Sequence, residues 1–302
     1  MDSHPQDAAE RLTLASVGEA APGRRGRFVR GRPGERPVKL SLLMPVYNEE
    51  RTISAAISEV LAAEYPCEIE LIVVDDGSTD AVRLILSRLD DPRLVVRHHA
   101  ANLGKGAALQ SAAAVATGTH VVPFDADLEY SASDLSRILE PVLNDRCDVV
   151  YGTRLFGLNT MYPTYRYAIG NRVLTLAANV LFDAYLSDLH TCLKLMPLEL
   201  FRVMDLREPG FGIDTEITAK ILAFGIRPFE VPVSYYGRSH DHGKKVTWLH
   251  GIESLRILSR VRLRWKPAVA QVEQATEDDA LEALEEQVRE QLVRAASSPW
   301  QR

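Results

Sequence analysis

The chain has 302 residues, 46% of them hydrophobic and 25% charged, and a formal net charge of −6. That length suffices for one large or two small domains with a sizeable core, and the composition is that of an ordinary globular protein rather than a disordered or fibrous one. The acidic balance argues against a nucleic-acid partner, although the N-terminal tail and residues 238–266 are basic and residues 273–290 acidic. Cys67, Cys147 and Cys192 lie far apart without metal-ligand spacing, which points to a reducing compartment and no disulfide framework. No run approaches the roughly 18 apolar residues of a membrane span, and no apolar signal-peptide core opens the sequence. The expectation is a cytoplasmic protein that can still touch a membrane surface.

Residues 1–37 read as a disordered basic arm, with Arg24, Arg25, Arg27, Arg30, Arg32 and Arg36 clustered before the first strand. Such an arm either attracts anionic headgroups or merely solubilises the terminus. From Lys39 the pattern changes to apolar runs alternating with helical segments. Strands are expected at Leu40–Val46, Ile69–Val74, Arg93–Arg97, Thr119–Phe124 and Asp148–Tyr151. Between them, helices are expected at Glu49–Ala63, Ala81–Leu89, Lys105–Ala116 and Ser131–Leu143. This alternation predicts an α/β fold with a parallel sheet covered on both faces. After Gly152 it loosens: helices at Thr164–Phe182, Leu198–Met204 and Asp214–Phe224, and strands at Thr191–Met196 and Arg227–Val233. Residues 241–266 form a basic amphipathic segment, helical over Val246–Trp265, and 267–302 a linker and an acidic helix at Leu281–Val293.

Three strand ends carry polar signatures. The first ends Met44-Pro45-Val46-Tyr47-Asn48-Glu49-Glu50, the second Val74-Asp75-Asp76-Gly77-Ser78-Thr79-Asp80, and the fourth Val122-Pro123-Phe124-Asp125-Ala126-Asp127-Leu128-Glu129. In an extended segment Asp125 and Asp127 point to one side, and Glu129 continues it. Hard carboxylate oxygens at the end of a parallel strand suit Mg²⁺ or Mn²⁺ on a diphosphate, in the crevice where open α/β sheets bind ligands. Each signature also has a plain account: Asn48 and Asp80 as helix caps, Asp-Gly as a tight turn. Three in register call for a ligand.

Pro-Val-Tyr-Asn-Glu-Glu, Val-Val-Asp-Asp-Gly-Ser-Thr-Asp, Asn-Leu-Gly-Lys-Gly and Asp-Ala-Asp, in this order, resemble the family-2 inverting glycosyltransferases of GT-A fold. The likeness covers about residues 38–240. It implies a Rossmann-like, mostly parallel sheet with a nucleotide-sugar half (38–152) and an acceptor half (153–240). Gly152-Thr153-Arg154, Asp188 through Lys194, Gly210 through Glu216, and Arg238 with Gly243-Lys244-Lys245 look like the polyprenyl-phosphate sugar synthases, with departures at His190 and Leu193. The resemblance implies a nucleoside pocket at Pro45, Tyr47 and Glu49, with Asp76 accepting from base or ribose and Asp75 supporting the turn. It implies a metal on Asp125 and Asp127, with Glu129 a further candidate ligand. Lys105 would offer charge and backbone N–H groups to the donor, or is a surface lysine at a helix start.

A departing diphosphate gains charge that metal and cations stabilise. A hydroxyl acceptor needs a general base, whereas a lipid phosphate is already ionised and needs cations. Arg154, Lys194, Arg238, Lys244 and Lys245 are candidate acceptor-phosphate contacts. Arg154 and Lys194 join Asp127, Asp188 and Glu216 as candidate catalytic residues, while Asp214 reads equally as a helix cap. Trp248 through Lys266 mixes apolar and tryptophan residues with arginines, as an interfacial helix does, or as a helix packed on the domain does. The stripe Leu281, Leu284, Val288, Leu292 suits a core or self-association seam. The leading reading is therefore a metal-dependent transferase moving a hexose from a UDP-glucose or GDP-mannose type donor to a polyprenyl phosphate on the cytoplasmic face of a membrane. Its competitors are a transferase with a soluble hydroxyl acceptor and a non-catalytic nucleotide-sugar scaffold.

Overall fold

A computed structural model describes residues 37–155, 160–162, 164–237 and 248–265. The basic arm through residue 36, Arg238, Lys244 and Lys245, and the linker and acidic helix beyond residue 265 lie outside the described residues. In the first half, β1 (Lys39–Val46) leads to α1 (Ile53–Ala62), β2 (Glu68–Asp75) to α2 (Val82–Leu86) and β3 (Leu94–His98) to α3 (Lys105–Val115). β4 (His120–Pro123) leads through a 3₁₀ turn at Ala132–Asp134 to α4 (Leu135–Leu143). Then follow β5 (Val150–Thr153), β6 (Thr160–Met161), α5 (Tyr165–Phe182), β7 (Lys194–Pro197) and α6 (Leu198–Val203). The last elements are α7 (Ile213–Ala223), β8 (Phe229–Pro232), β9 (Tyr235–Tyr236) and α8 (Trp248–Arg264).

One sheet runs in the order β3-β2-β1-β4-β7-β5-β8, and β6 pairs with β9 separately. Side chains of successive strand residues fall on opposite faces. Leu43, Ile72, Val74 and Val121 accordingly join the apolar cluster under α3, α6, α7 and α8. Leu40, Leu42, Met44, Leu71, Val73 and Val122 join the cluster under α1 and α4 on the other face. These strand side chains are fully buried, each stabilising the fold by roughly 1.5–3 kcal/mol relative to exposure. Double-sided burial is why the strands read as continuous apolar runs.

The sheet is mostly parallel, as the resemblance implies, with one strand reversed. β1, β2, β3 and β4 are mutually parallel, but β7 runs antiparallel to both β4 and β5. This reversal brings the start of β7, at Lys194, to the edge where β1, β2 and β4 end. Hydrophobic periodicity carries no sign of strand direction, so the sequence pattern could not show it.

α5 begins after Thr164, whose hydroxyl accepts from the Tyr167 N–H at 3.3 Å, and ends at Asp183 in the left-handed conformation (φ 47°). α1 starts four residues later than expected, because residues 48–50 are taken up in bonds to the loop after β2. Asn48 Oδ1 accepts from the Thr79 N–H at 2.8 Å, the Glu50 N–H donates to Asp80 Oδ2 at 3.0 Å, and Glu50 Oε2 accepts from the Ala81 N–H at 3.0 Å. Asn48 thus ties two strand ends together instead of capping a helix. Asp80 does both, its Oδ1 accepting from the Val82 N–H at 3.1 Å.

Candidate active site

Val46 lies opposite Asp75 and Leu43 opposite Pro123, so the ends of β1, β2 and β4 meet at one edge. Pro45, Tyr47 and Glu49 are half-buried there, with Glu49 Oε2 accepting from the Thr52 hydroxyl at 3.1 Å. Asp75 is buried and accepts from the Ser78 N–H at 2.9 Å, while its Oδ2 lies 3.0 Å from His98 Nδ1. Burial pushes its pKa up, but these hydrogen bonds prevail and hold it below the usual carboxylate value.

Asp76 is buried too. Its Oδ1 accepts from the Leu103 N–H at 3.0 Å and meets His99 Nδ1 at 2.6 Å, and its Oδ2 accepts from the Gly104 N–H at 2.8 Å. Gly104 has φ +100°, and a Cβ there would strike the Pro209 carbonyl, so this close approach requires glycine. Asp76 therefore shapes the loop that leads into Lys105. His99, whose Nε2 lies 2.9 Å from the Ser111 hydroxyl, had no sequence signal.

β4 stops at Pro123, and the aspartate pair lies in the turn beyond it. Asp125 Oδ2 accepts from Lys105 Nζ at 3.0 Å, and the same ammonium donates to Asp214 Oδ2 at 3.1 Å. Lys194 Nζ donates to the Asp214 carbonyl at 3.0 Å and lies 3.4 Å from its Oδ1. Burial lowers the Lys105 pKa, but the charges of Asp125 and Asp214 raise it well above the ordinary lysine value. Burial raises the Asp214 pKa, yet Lys105 and then Lys194 bring it below the usual range. For Lys194 burial wins, and its pKa is lowered. Asp214 lies inside the first turn of α7 and makes no cap bond. In the sequence it read equally as a helix cap, within the Gly-Phe-Gly-Ile-Asp-Thr-Glu motif.

Glu129 does not continue the side of Asp125 and Asp127. Leu128 is left-handed (φ 61°), which breaks the period-two alternation. Asp127 Oδ1 accepts from the Glu129 N–H at 3.1 Å. Glu129 Oε2 accepts from the Tyr235 hydroxyl at 2.7 Å, and its carbonyl accepts from the Tyr236 N–H at 2.8 Å. Among the described residues no group of three or more His, Cys, Asp and Glu is placed to hold a metal ion.

Four charged residues expected at the chemistry are instead enclosed. Arg154 and Asp188 are 2% and 0% exposed. The guanidinium donates from Nε at 2.6 Å and Nη2 at 2.7 Å, and Asn171 Nδ2 donates at 2.8 Å. Burial raises the Asp188 pKa, but the Arg154 charge and these bonds bring it down to about 2. Arg154 also lies 4.9 Å over the Tyr235 ring. Glu216, likewise buried, pairs with Lys220 at 2.8 Å and accepts the N–H groups of Arg207 and Glu208. Lys194 is 0% exposed and spent on Asp214. Arg154 is thus paired with Asp188, Glu216 with Lys220 and Lys194 with Asp214, so each has an internal partner of opposite charge. His190 joins these parts: its Nδ1 lies 3.0 Å from Asn171 Oδ1 and its Nε2 3.1 Å from the Thr215 hydroxyl.

The donor set suits a divalent metal. Asp125 and Asp127 carry partly exposed hard carboxylate oxygens, and the Lys105 ammonium sits on Asp125. One or two carboxylates plus substrate phosphates and waters is the usual way Mg²⁺ is held.

Residues 41–203 match the description "Glycosyl transferase family 2", and the chain belongs to that family. Its α/β fold, with a mixed, mostly parallel sheet between layers of helices, is GT-A-like. Over 203 residues it is 30% identical to glycosyltransferase AglJ of Haloferax volcanii, covering 67% of this chain and 64% of that protein. Over 205 residues it is 29% identical to the low-salt glycan biosynthesis hexosyltransferase Agl6 of the same organism, covering 67% and 49%. The match thus spans less than two thirds of either relative. A crystal structure of glucosyl-3-phosphoglycerate synthase from Mycobacterium tuberculosis, in complex with Mn²⁺, UDP and glucosyl-3-phosphoglycerate, aligns with a TM-score of 0.54. It shares 21% identity over 74% of this chain and 80% of that one, a likeness of fold.

Proposed function

We propose that this protein is a metal-dependent, inverting hexosyltransferase that moves a sugar from a UDP-glucose or GDP-mannose type donor to a polyprenyl phosphate. The observation that carries the lipid acceptor is on the second half. Along one side of α5, Tyr165, Val173, Leu176 and Val180 are exposed, up to 79% for Tyr165, and Tyr185 follows. α8 packs against α5 and adds exposed Ile252, Leu255 and Leu263, the last at 81%. Arg166, Arg172, Arg256 and Arg264 are exposed on the same two helices. Apolar side chains with arginines on adjoining helices suit a bilayer interface, and a soluble acceptor has no use for them. No helix among the described residues is long and apolar enough to cross a membrane; the contact proposed is a peripheral one, on the cytoplasmic face.

The acid–base chemistry favours the same acceptor. A hydroxyl needs a base whose pKa lies near the working pH. Asp214, the carboxylate facing Lys105 and Lys194, is held below the ordinary range by them, which makes it a poor base. An ionised lipid phosphate requires none. In this reading Tyr47, Pro45 and Glu49 bind the nucleoside, and Asp75 and Asp76 set the loops around it. Asp125 and Asp127 would hold Mg²⁺ or Mn²⁺, which when bound offsets charge on the leaving diphosphate. Lys105 turns to the diphosphate, and Arg238, Lys244 and Lys245 to the acceptor phosphate. The archaeal relative described as a hexosyltransferase of glycan biosynthesis supports a hexose as the group transferred.

The test supplies polyprenyl phosphate in detergent, Mn²⁺ and labelled UDP-glucose or GDP-mannose. Label is expected in the organic phase; label confined to water-soluble product would remove the lipid acceptor. Transfer by Asp125→Ala equal to wild type at saturating metal would remove the metal assignment.

A further inference from the structure

We infer that His190 is a positioning residue of the acceptor half: with its proton on Nδ1, the imidazole holds α8 in register with α5 and with the start of α7. The inference rests on the lipid-acceptor reading above and deepens it, since α5 and α8 carry the apolar face assigned there to the bilayer. α5 is apolar outside and polar along part of its inner side. Val173, Leu176 and Val180 face outward and are exposed. Asn171, Thr175 and Asn179, four residues apart and so on one face, bind the chain segment that leads into β7. Asn179 exchanges two bonds of 2.9 Å with the Leu186 backbone, and Thr175 Oγ1 accepts from the Leu189 N–H at 3.0 Å. Asn171 takes Asp188 and His190.

The order of donors along this ladder settles the ring. Asp188, ionised beside Arg154, can only accept, so Asn171 presents Nδ2 to it at 2.8 Å and turns Oδ1 to His190 at 3.0 Å. An amide oxygen does not donate, so the His190 proton is on Nδ1. Burial, and next the Lys194 charge, favour the uncharged ring. Its Nε2 then accepts from the hydroxyl of Thr215 or Ser254, 3.1 and 3.3 Å away. Those hydroxyls lie 3.1 Å from one another, so one ring reaches α5, α7 and α8. Elsewhere α8 is held by apolar contacts of Ile257, Leu258 and Val261, which have no direction. Arg260 on Glu208 and Arg262 on the Leu181 carbonyl add contacts at exposed sites, where water competes. Ser254 is 5% exposed, and a buried directional bond is what fixes register between apolar surfaces.

The experiment measures transfer by the full chain, with Mn²⁺, labelled nucleotide sugar and polyprenyl phosphate in detergent, for wild type, Ser254→Ala, His190→Gln and the double variant. Ser254→Ala frees α8 but leaves Thr215 on Nε2, so the fold should persist. Its KM for polyprenyl phosphate should rise about tenfold, short of the roughly 100-fold that a 1 Å misplacement can cost, with KM for the nucleotide sugar unchanged. A mere loss of folded enzyme would lower kcat and move neither KM. His190→Gln should reproduce the rise, and adding Ser254→Ala to it should raise the acceptor KM no further, because both act through one contact. Should His190→Gln fail to fold, Ser254→Ala decides alone. If Ser254→Ala leaves the acceptor KM within about twofold of wild type, or raises both KM values equally, the inference falls while the lipid reading stands. If wild type puts no label into the organic phase, the lipid reading falls and the inference with it.

Discussion

Two groups of paired charges flank His190 and differ in what they leave over. Asp188 accepts three close hydrogen bonds, from Arg154 and Asn171, and has no exposed surface. Asp125 accepts from Lys105 and keeps a side chain 24% exposed. The residue types are alike. A carboxylate whose lone pairs are consumed inside the protein fixes architecture, and one that retains access to solvent can still take a ligand. Pairing alone does not mark a catalytic group.

The sharpest way to break this contrast is at the buried pair. Asp188→Ala leaves the Arg154 charge enclosed and uncompensated, and should cost about 3–5 kcal/mol of stability. A denaturant titration showing under about 1 kcal/mol with unchanged slope would put the pair outside the framework. Asp125→Asn should act chiefly on transfer. We expect a smaller stability cost, about 1–3 kcal/mol, because Lys105 keeps Asp214 when it loses the Asp125 charge, and a loss of transfer of roughly 10²-fold or more, measured as initial rate at saturating metal.

The third expectation concerns His190, on which both groups act. Burial, and next the Lys194 charge, lower its pKa to about 4. The unfolded chain takes up this proton near pH 6.5 and the native protein only near 4. Its stabilising contribution is thus complete above about pH 6.5 and is lost as pH falls through about 4, on the order of 1–2 kcal/mol by pH 5. His190→Gln should flatten the melting temperature between pH 7 and 5 relative to wild type; equal slopes would show that another group sets it. The smallest effect is expected from Tyr235→Phe. Removing its 2.7 Å bond to partly exposed Glu129 should cost about 1 kcal/mol and lower Tm by a few degrees, and an unchanged Tm would show that the contact holds nothing.

Much of the donor side was legible along the chain. Leu40–Val46, Ile69–Val74 and Thr119–Phe124 read as buried strands because apolar runs with flanking turn residues report local burial. Their polar ends fell on one edge because adjacent parallel strands must end together. The motif order pointed to the family that the match over residues 41–203 shows. The arginine and lysines at 238, 244 and 245 remain expectations outside the described residues.

The acceptor side was less legible, for reasons that a linear reading cannot overcome. Arg154, Asp188, Lys194 and Glu216 look the same in sequence whether they face a substrate or a partner within the protein. Glu129 seemed to continue a strand until Leu128 turned the backbone. β6 and β9, two residues each, are too short to carry a period. By itself the sequence determined the alternating strands and helices and the carboxylates at the strand ends, since periodicity and turn chemistry are local properties. Only the tertiary structure decided the direction of β7 and which charges are spent on each other. Those outcomes depend on partners far apart in the chain, such as Lys105 and Asp214, 109 residues from one another.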